Sequence, residues 1–299
     1  MAETTIEWAD YTFNPWIGCE KVSAGCKNCY ASVDTYARVS ASRGLPLWGP
    51  GSTRHRTSAA NWRKPLAWNR KRREAVDWYE YAPTIAPRDE LCVLPSDPGP
   101  RPRVFCASLA DVFEGRADLD PWRADLWRLI EECDELDWLL LTKRPENVRG
   151  SVPAAWLATE GWPAHVWLGT SAEDQEQARA RIPRLWDVEP AVRFVSFEPL
   201  LARVSTDLFA PWDYAPIDWM IIGGESGPGA RPCDVNWIRD LMRQGREAGA
   251  SVFVKQLGAL ACETSSDPTR NGRVHLRDKK GSDMAEWPED LRVRELPIR

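Results

Sequence analysis

The sequence predicts an α/β fold, a partial or complete (β/α) TIM-like barrel of six to seven parallel strands, and three observations predict it. Seven short apolar runs recur, each ending in polar or glycine residues: YTFNPWIG (11–18), RVFCASLAD (103–111), DWLLLTKR (137–144), HVWLGTSAED (165–174), RFVSFEPL (193–200), DWMIIGGES (218–226) and SVFVKQLG (251–258). Runs of this length, bounded in this way, suit strands buried on both faces of a parallel sheet. Helical patterns lie between them. WRADLWRLIEECDELD (122–137) puts Leu126, Leu129, Ile130 and Cys133 on one face, and VNWIRDLMRQGREAG (235–249) repeats the pattern and stops at Gly249, a natural C-cap. Finally, strand–helix alternation over a chain of 299 residues, with no fixed-period repeat, matches a single barrel domain. Two parts stand outside the alternation: an inserted basic and Pro-rich segment over about 40–102 and a C-terminal tail over about 259–299. Trp287, Leu291, Val293 and Leu296 give the tail apolar anchors, so it is expected to pack on the barrel.

Composition narrows the function classes. The formal net charge is −5, so any nucleic-acid contact has to be local. No apolar run reaches membrane-spanning length and the first residues, MAETTIEWAD, do not read as a signal peptide, so a cytoplasmic protein with no membrane partner is expected. In a reducing compartment eight cysteines are poor disulfide candidates, and a tight cluster of them reads first as a metal site. Three histidines argue against a His-rich hydrolytic centre, and seventeen tryptophans exceed what a core of this size needs, so some are expected on a binding face.

Parallel barrels carry their chemistry at the C-terminal ends of the strands. Here those ends offer Cys19; Ser108 and Asp111; Thr142, Lys143 and Arg144; Thr170, Ser171, Glu173 and Asp174; Ser196 and Glu198; Gly223, Gly224, Glu225 and Ser226; and Lys255 with Gln256. Lys143, Glu198, Glu225 and Lys255 directly follow apolar runs, where a charge is costly unless paired or ligand-bound. They are the catalytic candidates, with ordinary strand-end salt bridges as the plainer alternative. CEKVSAGCKNCY opens just after the first run and spaces Cys19, Cys26 and Cys29 as C-x6-C-x2-C. Three thiolates can hold three irons of a [4Fe–4S] cubane and leave the fourth open to an outside ligand, which in radical chemistry is the amino and carboxylate groups of S-adenosylmethionine (SAM). Zinc usually wants a fourth protein ligand; no further Cys or His lies near in sequence, and Cys106 or His55 could reach only through the fold. Three packed structural thiols are the remaining alternative.

NPWIGCEKVSAGCKNCYA, taken with FCASLADVFE, LLLTKRPEN, VWLGTSAEDQ, RFVSFEPLL, MIIGGESGPGARPCDVNWIRDL, VFVKQLG and WPEDLRVRELP, resembles a phage-associated family of radical-SAM-like proteins along nearly the whole chain. More distantly the chain is similar to spore photoproduct lyase and the radical SAM superfamily. The resemblance implies a barrel of radical SAM type, a [4Fe–4S] cluster on Cys19, Cys26 and Cys29, SAM as cofactor, and an electron donor such as flavodoxin. The chain departs from the superfamily pattern in its six-residue first gap, in Asn28 before the third cysteine, and in an aromatic residue, Tyr30, after it. The superfamily's Gly-Gly-Glu usually follows the second strand; here Gly223-Gly224-Glu225 follows the sixth. The resemblance therefore assigns the SAM amino group to the second-strand segment with Ser108 and Asp111. It gives Thr170, Ser171 and Glu173 to the ribose and carboxylate, and Tyr30, Gly223 and Gly224 to the rest of the cofactor contact.

From Thr35 to Arg73 there is no Asp or Glu but ten Lys or Arg, densest in WRKPLAWNRKRR (62–73). Such a segment suits phosphates, with Trp48, Trp62 or Trp68 available to stack on bases; an exposed basic helix balancing acidic neighbours suits it equally. Together with the phage resemblance it points to a nucleic acid or modified nucleotide, with DNA foremost, as substrate. The expected activity is a radical SAM isomerase acting on a thymine decorated with a glycyl-type adduct. The alternatives are a radical SAM lyase of a base lesion and a non-enzymatic, zinc-stabilised nucleic-acid-binding protein.

Overall fold

A computed structural model describes residues 4–33, 35–42, 44–85, 96–159, 161–205, 216–264 and 272–297. All seven expected runs supply strands of one sheet: β1 (Tyr11–Thr12), β2 (Arg103–Cys106), β3 (Asp137–Thr142), β4 (Val166–Ser171), β5 (Val192–Phe197), β6 (Trp219–Gly223) and β7 (Ser251–Gln256). They lie side by side in chain order, every pair parallel, in a curled sheet that forms a half-barrel. The main helices among the described residues are α1 (Lys64–Ile85), α2 (Asp120–Glu132), α3 (Gln175–Arg181) and α4 (Val235–Glu247). The predicted faces of α2 and α4 are both buried, Leu126, Leu129, Ile130 and Cys133 on the first and Ile238, Leu241 and Met242 on the second. Gly249, at φ +79°, takes the left-handed turn that ends α4 and lets Ala250 N–H reach the Gly245 carbonyl at 2.9 Å.

Strand alternation sorts the side chains into two cores. Val104, Cys106, Trp138, Leu140, Val166, Leu168, Val195, Phe197, Met220, Ile222, Val252 and Val254 join the core shared with the helices. Phe105, Leu139, Trp167, Phe194, Trp219, Ile221 and Phe253 point to the concave side, where Trp8 closes over them. Phe194 lies so tightly over Gly169 that a Cβ there would meet the ring at 2.4 Å. Most of the tryptophan excess is spent here and under the helices: Trp8, Trp16, Trp68, Trp127, Trp138, Trp156, Trp162, Trp167, Trp219 and Trp287 are all buried, and of these only Trp8 also lines the cavity at the strand ends. One turn further along the strands the concave face changes character. Ala107, Ser171 and Ser196 take the place of the large rings, and a cavity opens above an aromatic floor.

The first run differs from expectation. The chain leaves the sheet after Thr12, because Pro15 has no N–H to offer a ladder and the Asn14 carbonyl is taken by Thr57 and Asn61. Trp16–Ile17 then pairs antiparallel with His55–Arg56. The tail packs on the barrel through Trp287, Leu291 and Val293, whereas Leu296, expected as a fourth anchor, is exposed. Val254 N–H donates to the Val293 carbonyl and Glu295 N–H to that of Val252, so the tail covers the outer edge of β7. No helix among the described residues is long and apolar enough to cross a membrane.

Candidate functional site

A cavity of about 560 Å³ sits at the C-terminal ends of the strands, within the size range of small-molecule sites. Cys19, Cys26 and Cys29 all line it, as do Tyr30, Ser108, Asp111, Lys143, Ser171, Glu198, Gly224, Glu225 and Lys255. Thus most of the residues singled out from sequence share one wall system. Thr170, Glu173 and Gly223 do not line it.

The loop carrying the cysteines is tied to four strand ends. Gly18, at φ +113°, runs beside Leu109 and Ala110, and its N–H donates to the Leu109 carbonyl at 3.0 Å. A Cβ on Gly18 would lie 2.4 Å from the Leu47 carbonyl, so only glycine permits this approach. The Arg144 guanidinium donates to the Glu20 carbonyl (2.8 Å) and lies 3.7 Å from Cys19 Sγ. Gly25 N–H donates to Glu173 Oε1 at 2.9 Å, while Arg181 holds Oε2 at the same distance. Asn28 Nδ2 bridges Glu225 Oε2 (3.1 Å) and the Gly229 carbonyl (2.8 Å), and Arg231 grips Glu225 and reaches the Ala24 carbonyl. Tyr30 Oη closes the loop on the Ser108 carbonyl at 2.9 Å.

These ties revise several expected roles. Glu173, fully buried, is spent on Gly25 and Arg181, not on a ribose or carboxylate of a cofactor; a Cβ on Gly25 would strike its carboxyl at 2.9 Å. Thr170 is adjacent to Ser171, so strand alternation turns it to the opposite face; its hydroxyl donates to the Thr142 carbonyl, and only Ser171 reaches the cavity. Asp111 lines the cavity, but its carboxylate already accepts from Phe113 N–H, Thr142 Oγ1, Lys143 N–H and Arg144 Nη1, at 2.8 to 3.1 Å. That makes it a strut between β2 and β3, with no lone pair direct enough for an incoming ammonium. Gly224 is small for an internal reason: a Cβ would lie 2.2 Å from the Leu257 carbonyl, so the close approach is to backbone and not to a ligand. Gly223 meets no such obstacle.

The opposite rim is looser. Lys255 and Glu198 form an ion pair in which each side chain is 18 % exposed. A register shift between Val254 and Gln256 lets both Lys255 and Gln256 face the cavity, which strict alternation would forbid. Lys143 lines the cavity with no hydrogen bond or ion pair from its ammonium among the described residues.

Two electrostatic features bear on what the cysteines can hold. Burial first, then the negative charge of Asp111, push the Cys19 thiol up to about 12, against the pull of Arg144. A thiol there needs a strong Lewis acid to become a thiolate. Desolvation alone would raise Glu225, but hydrogen bonds from Arg231 and Asn28 outweigh it and hold the carboxyl below its ordinary range. Trp48, beside Cys19 through a backbone bridge, lines the cavity and buries an indole N–H with no acceptor among the described residues. Three soft thiols, a nearby guanidinium and an unsatisfied donor on one wall fit an anionic iron–sulfur cluster.

Zinc fits less well. Cys106 is buried in the core under the helices, His55 sits in the small antiparallel ladder, and neither lines the cavity. Among the described residues no group of three or more His, Cys, Asp or Glu side chains converges on a single ion. Thiolates of a cubane bind different irons and stand farther apart than ligands of one ion.

Apart from Trp48, the basic segment does not line the cavity. Trp68 stacks on Tyr11 with ring centroids 4.2 Å apart, and Trp62 packs edge-on against Phe13 under Arg56. α1 therefore braces the β1 edge, and none of its basic residues lines the cavity. Sequence reasoning missed Asn28, Arg181 and Arg231 as loop anchors. Arg231 and Arg181 lie only six and eight residues from Glu225 and Glu173, but the partners of Asn28 are 197 and 201 residues away.

The chain belongs to the DUF5131 family. That family is described as a protein of unknown function, and its model matches residues 3–285. No curated protein and no solved structure matches the chain.

Proposed function

We propose that this DUF5131 chain is a radical SAM enzyme, with Cys19, Cys26 and Cys29 holding a [4Fe–4S] cluster and a decorated nucleobase of phage DNA as substrate. One observation carries the reading: three thiols of one short loop line the same cavity as the polar C-terminal ends of a curled parallel sheet. When bound, the cluster and SAM supply a 5′-deoxyadenosyl radical after one-electron reduction by a donor such as flavodoxin. The protein's own groups bind and orient. Arg144 offsets negative charge next to Cys19. Glu198 and Lys255 offer a carboxylate and an ammonium a few ångströms apart, a match for the ammonium and carboxylate of a glycyl-type decoration. Lys143 adds a second cation. The aromatic floor excludes water below the cavity. The reaction class is isomerisation, moving the decoration from nitrogen to carbon linkage on the thymine 5-methyl group.

Anaerobic reconstitution tests this. The expected result is a brown protein with about four irons per chain that forms 5′-deoxyadenosine from SAM, above the substrate-free background, when decorated DNA is added. Cys26→Ala should bring that activity to background. A colourless protein with one zinc, or a fully active Cys26→Ala chain, would overturn the cluster assignment.

A further inference from the structure

Beside the main cavity lies a second hollow of about 370 Å³, lined among others by Arg273, Arg277 and Lys279 and by the glycine loop Gly227–Gly229. The two spaces meet at one stretch of chain. Glu225 and Ser226 line the first and Gly227 the second; Lys279 lines the second and Lys280 the first. In a chain of net charge −5 this is a local reversal of sign.

The acids in the hollow do not cancel it. Asp278 lines the hollow beside the three cations, but its carboxylate is engaged, accepting from the N–H groups of Lys280, Ser282 and Asp283 and from the Ser282 hydroxyl. Glu286 accepts from the backbone N–H of Arg277 and Asp278 and lies 3.6 Å from an Arg277 side chain that is 97 % exposed. Lys279 and Lys280 are exposed, with no side-chain partner among the described residues. At Gly227 a Cβ would meet nothing within 4 Å, so the loop wall is open.

We infer that this hollow is a phosphate track, in which Arg273, Arg277 and Lys279 hold the backbone of a single nucleic-acid strand whose target base enters the main cavity. The inference rests on the nucleobase reading above and sharpens it: the substrate is polymeric, not a free nucleotide. A base inside the cavity must lead its flanking phosphodiesters out across the rim, and this rim is where exposed cations adjoin the cavity: Lys279 and Lys280 have no side-chain partner among the described residues, and Arg277 stays 97 % exposed beside Glu286. It also moves the nucleic-acid contact away from α1, where composition alone had put it.

Anisotropy of a labelled single-stranded oligonucleotide, titrated at several salt concentrations, tests the track. The triple variant Arg273→Glu, Arg277→Glu, Lys279→Glu should bind at least tenfold more weakly near physiological salt. Its log–log salt slope should flatten by about 2, from about 0.7 for each lost contact to a single strand. The milder pair Arg277→Gln, Lys279→Gln, at exposed positions, should move both quantities in the same direction. Reversing Lys64, Arg70 and Lys71 on α1 to Glu should leave them unchanged. Unaltered affinity and slope in the triple and pair variants, loss that follows the α1 variant instead, or a wild-type chain that binds mononucleotide but no oligonucleotide would each overturn the track. Binding is read on both the cluster-loaded chain and Cys26→Ala. Failure of the track thus leaves 5′-deoxyadenosine formation untouched, and absence of a cluster sinks the radical reading without touching the track.

Discussion

Two carboxylate–cation pairs face each other across the cavity, and they differ in what else holds them. Asp111 and Arg144 lie at the ends of β2 and β3, with side chains 8 % and 9 % exposed. Asp111 accepts four hydrogen bonds and Arg144 goes on to the Glu20 carbonyl, so the pair fastens two strands to the cysteine loop. Glu198 and Lys255, at the ends of β5 and β7, are twice as exposed and are joined chiefly to each other. A saturated pair is scaffold. A pair whose members satisfy only one another can open to a zwitterionic ligand at little cost, because the ligand replaces each partner in kind. The same kinds of residue at equivalent strand ends thus differ in how firmly the fold holds them.

The sharpest way to break this contrast is to remove one member of the scaffold pair. Asp111→Ala strands a buried guanidinium and leaves Thr142 and two backbone N–H groups without acceptors, and should cost about 3 kcal/mol in urea unfolding. A loss well under 1 kcal/mol would show that Asp111 is not a strut. Next in size, Lys255→Met should change stability by no more than about 1 kcal/mol. It should lower turnover of the decorated substrate roughly ten- to a hundredfold, the worth of one charge-assisted hydrogen bond. Equal losses of stability for Lys255→Met and Asp111→Ala would erase the distinction between the rims.

A smaller effect concerns the loop clamp. Glu225 is held below its ordinary range by Arg231 and Asn28 despite desolvation. The folded pKa lies under the unfolded one, so the clamp's stabilisation is complete above about pH 4.3, the unfolded value. It is lost as pH falls through the lower folded pKa. Glu225→Gln should remove that part of the acid dependence, visible as a flatter stability–pH curve below about pH 4.3; an unchanged curve would assign it elsewhere. Smallest of all, Trp48→Phe deletes a buried donor that has no acceptor among the described residues. The unfolding free energy of cluster-free protein in urea should hold or rise by up to about 1 kcal/mol, and a clear fall would mean the indole N–H is satisfied within the protein.

The strand order was legible because each strand is written as a short apolar run, and alternation of facing follows from backbone geometry alone. The cysteine spacing was equally plain, since it lies within one loop. Glu173 shows where such reading stops. Its position after β4 is evident, but its load is Gly25, 148 residues away. The basic run of α1 misled for a related reason: charge density along a helix says nothing of which side of the barrel the helix occupies, and Trp68 against Tyr11 decides that.

The chain's own residues thus determine a parallel α/β sheet, the thiol loop that follows its first strand, and the polar ends of the others. These are local properties, set by periodicity and by neighbours in the chain. Only the tertiary structure decides that the sheet stops at a half-barrel with its β7 edge covered by the tail, which strand-end charges are struts and which are open, and where exposed cations adjoin the cavity. Those depend on partners distant in sequence, and the free energy of a buried charge is fixed by whatever the fold places beside it.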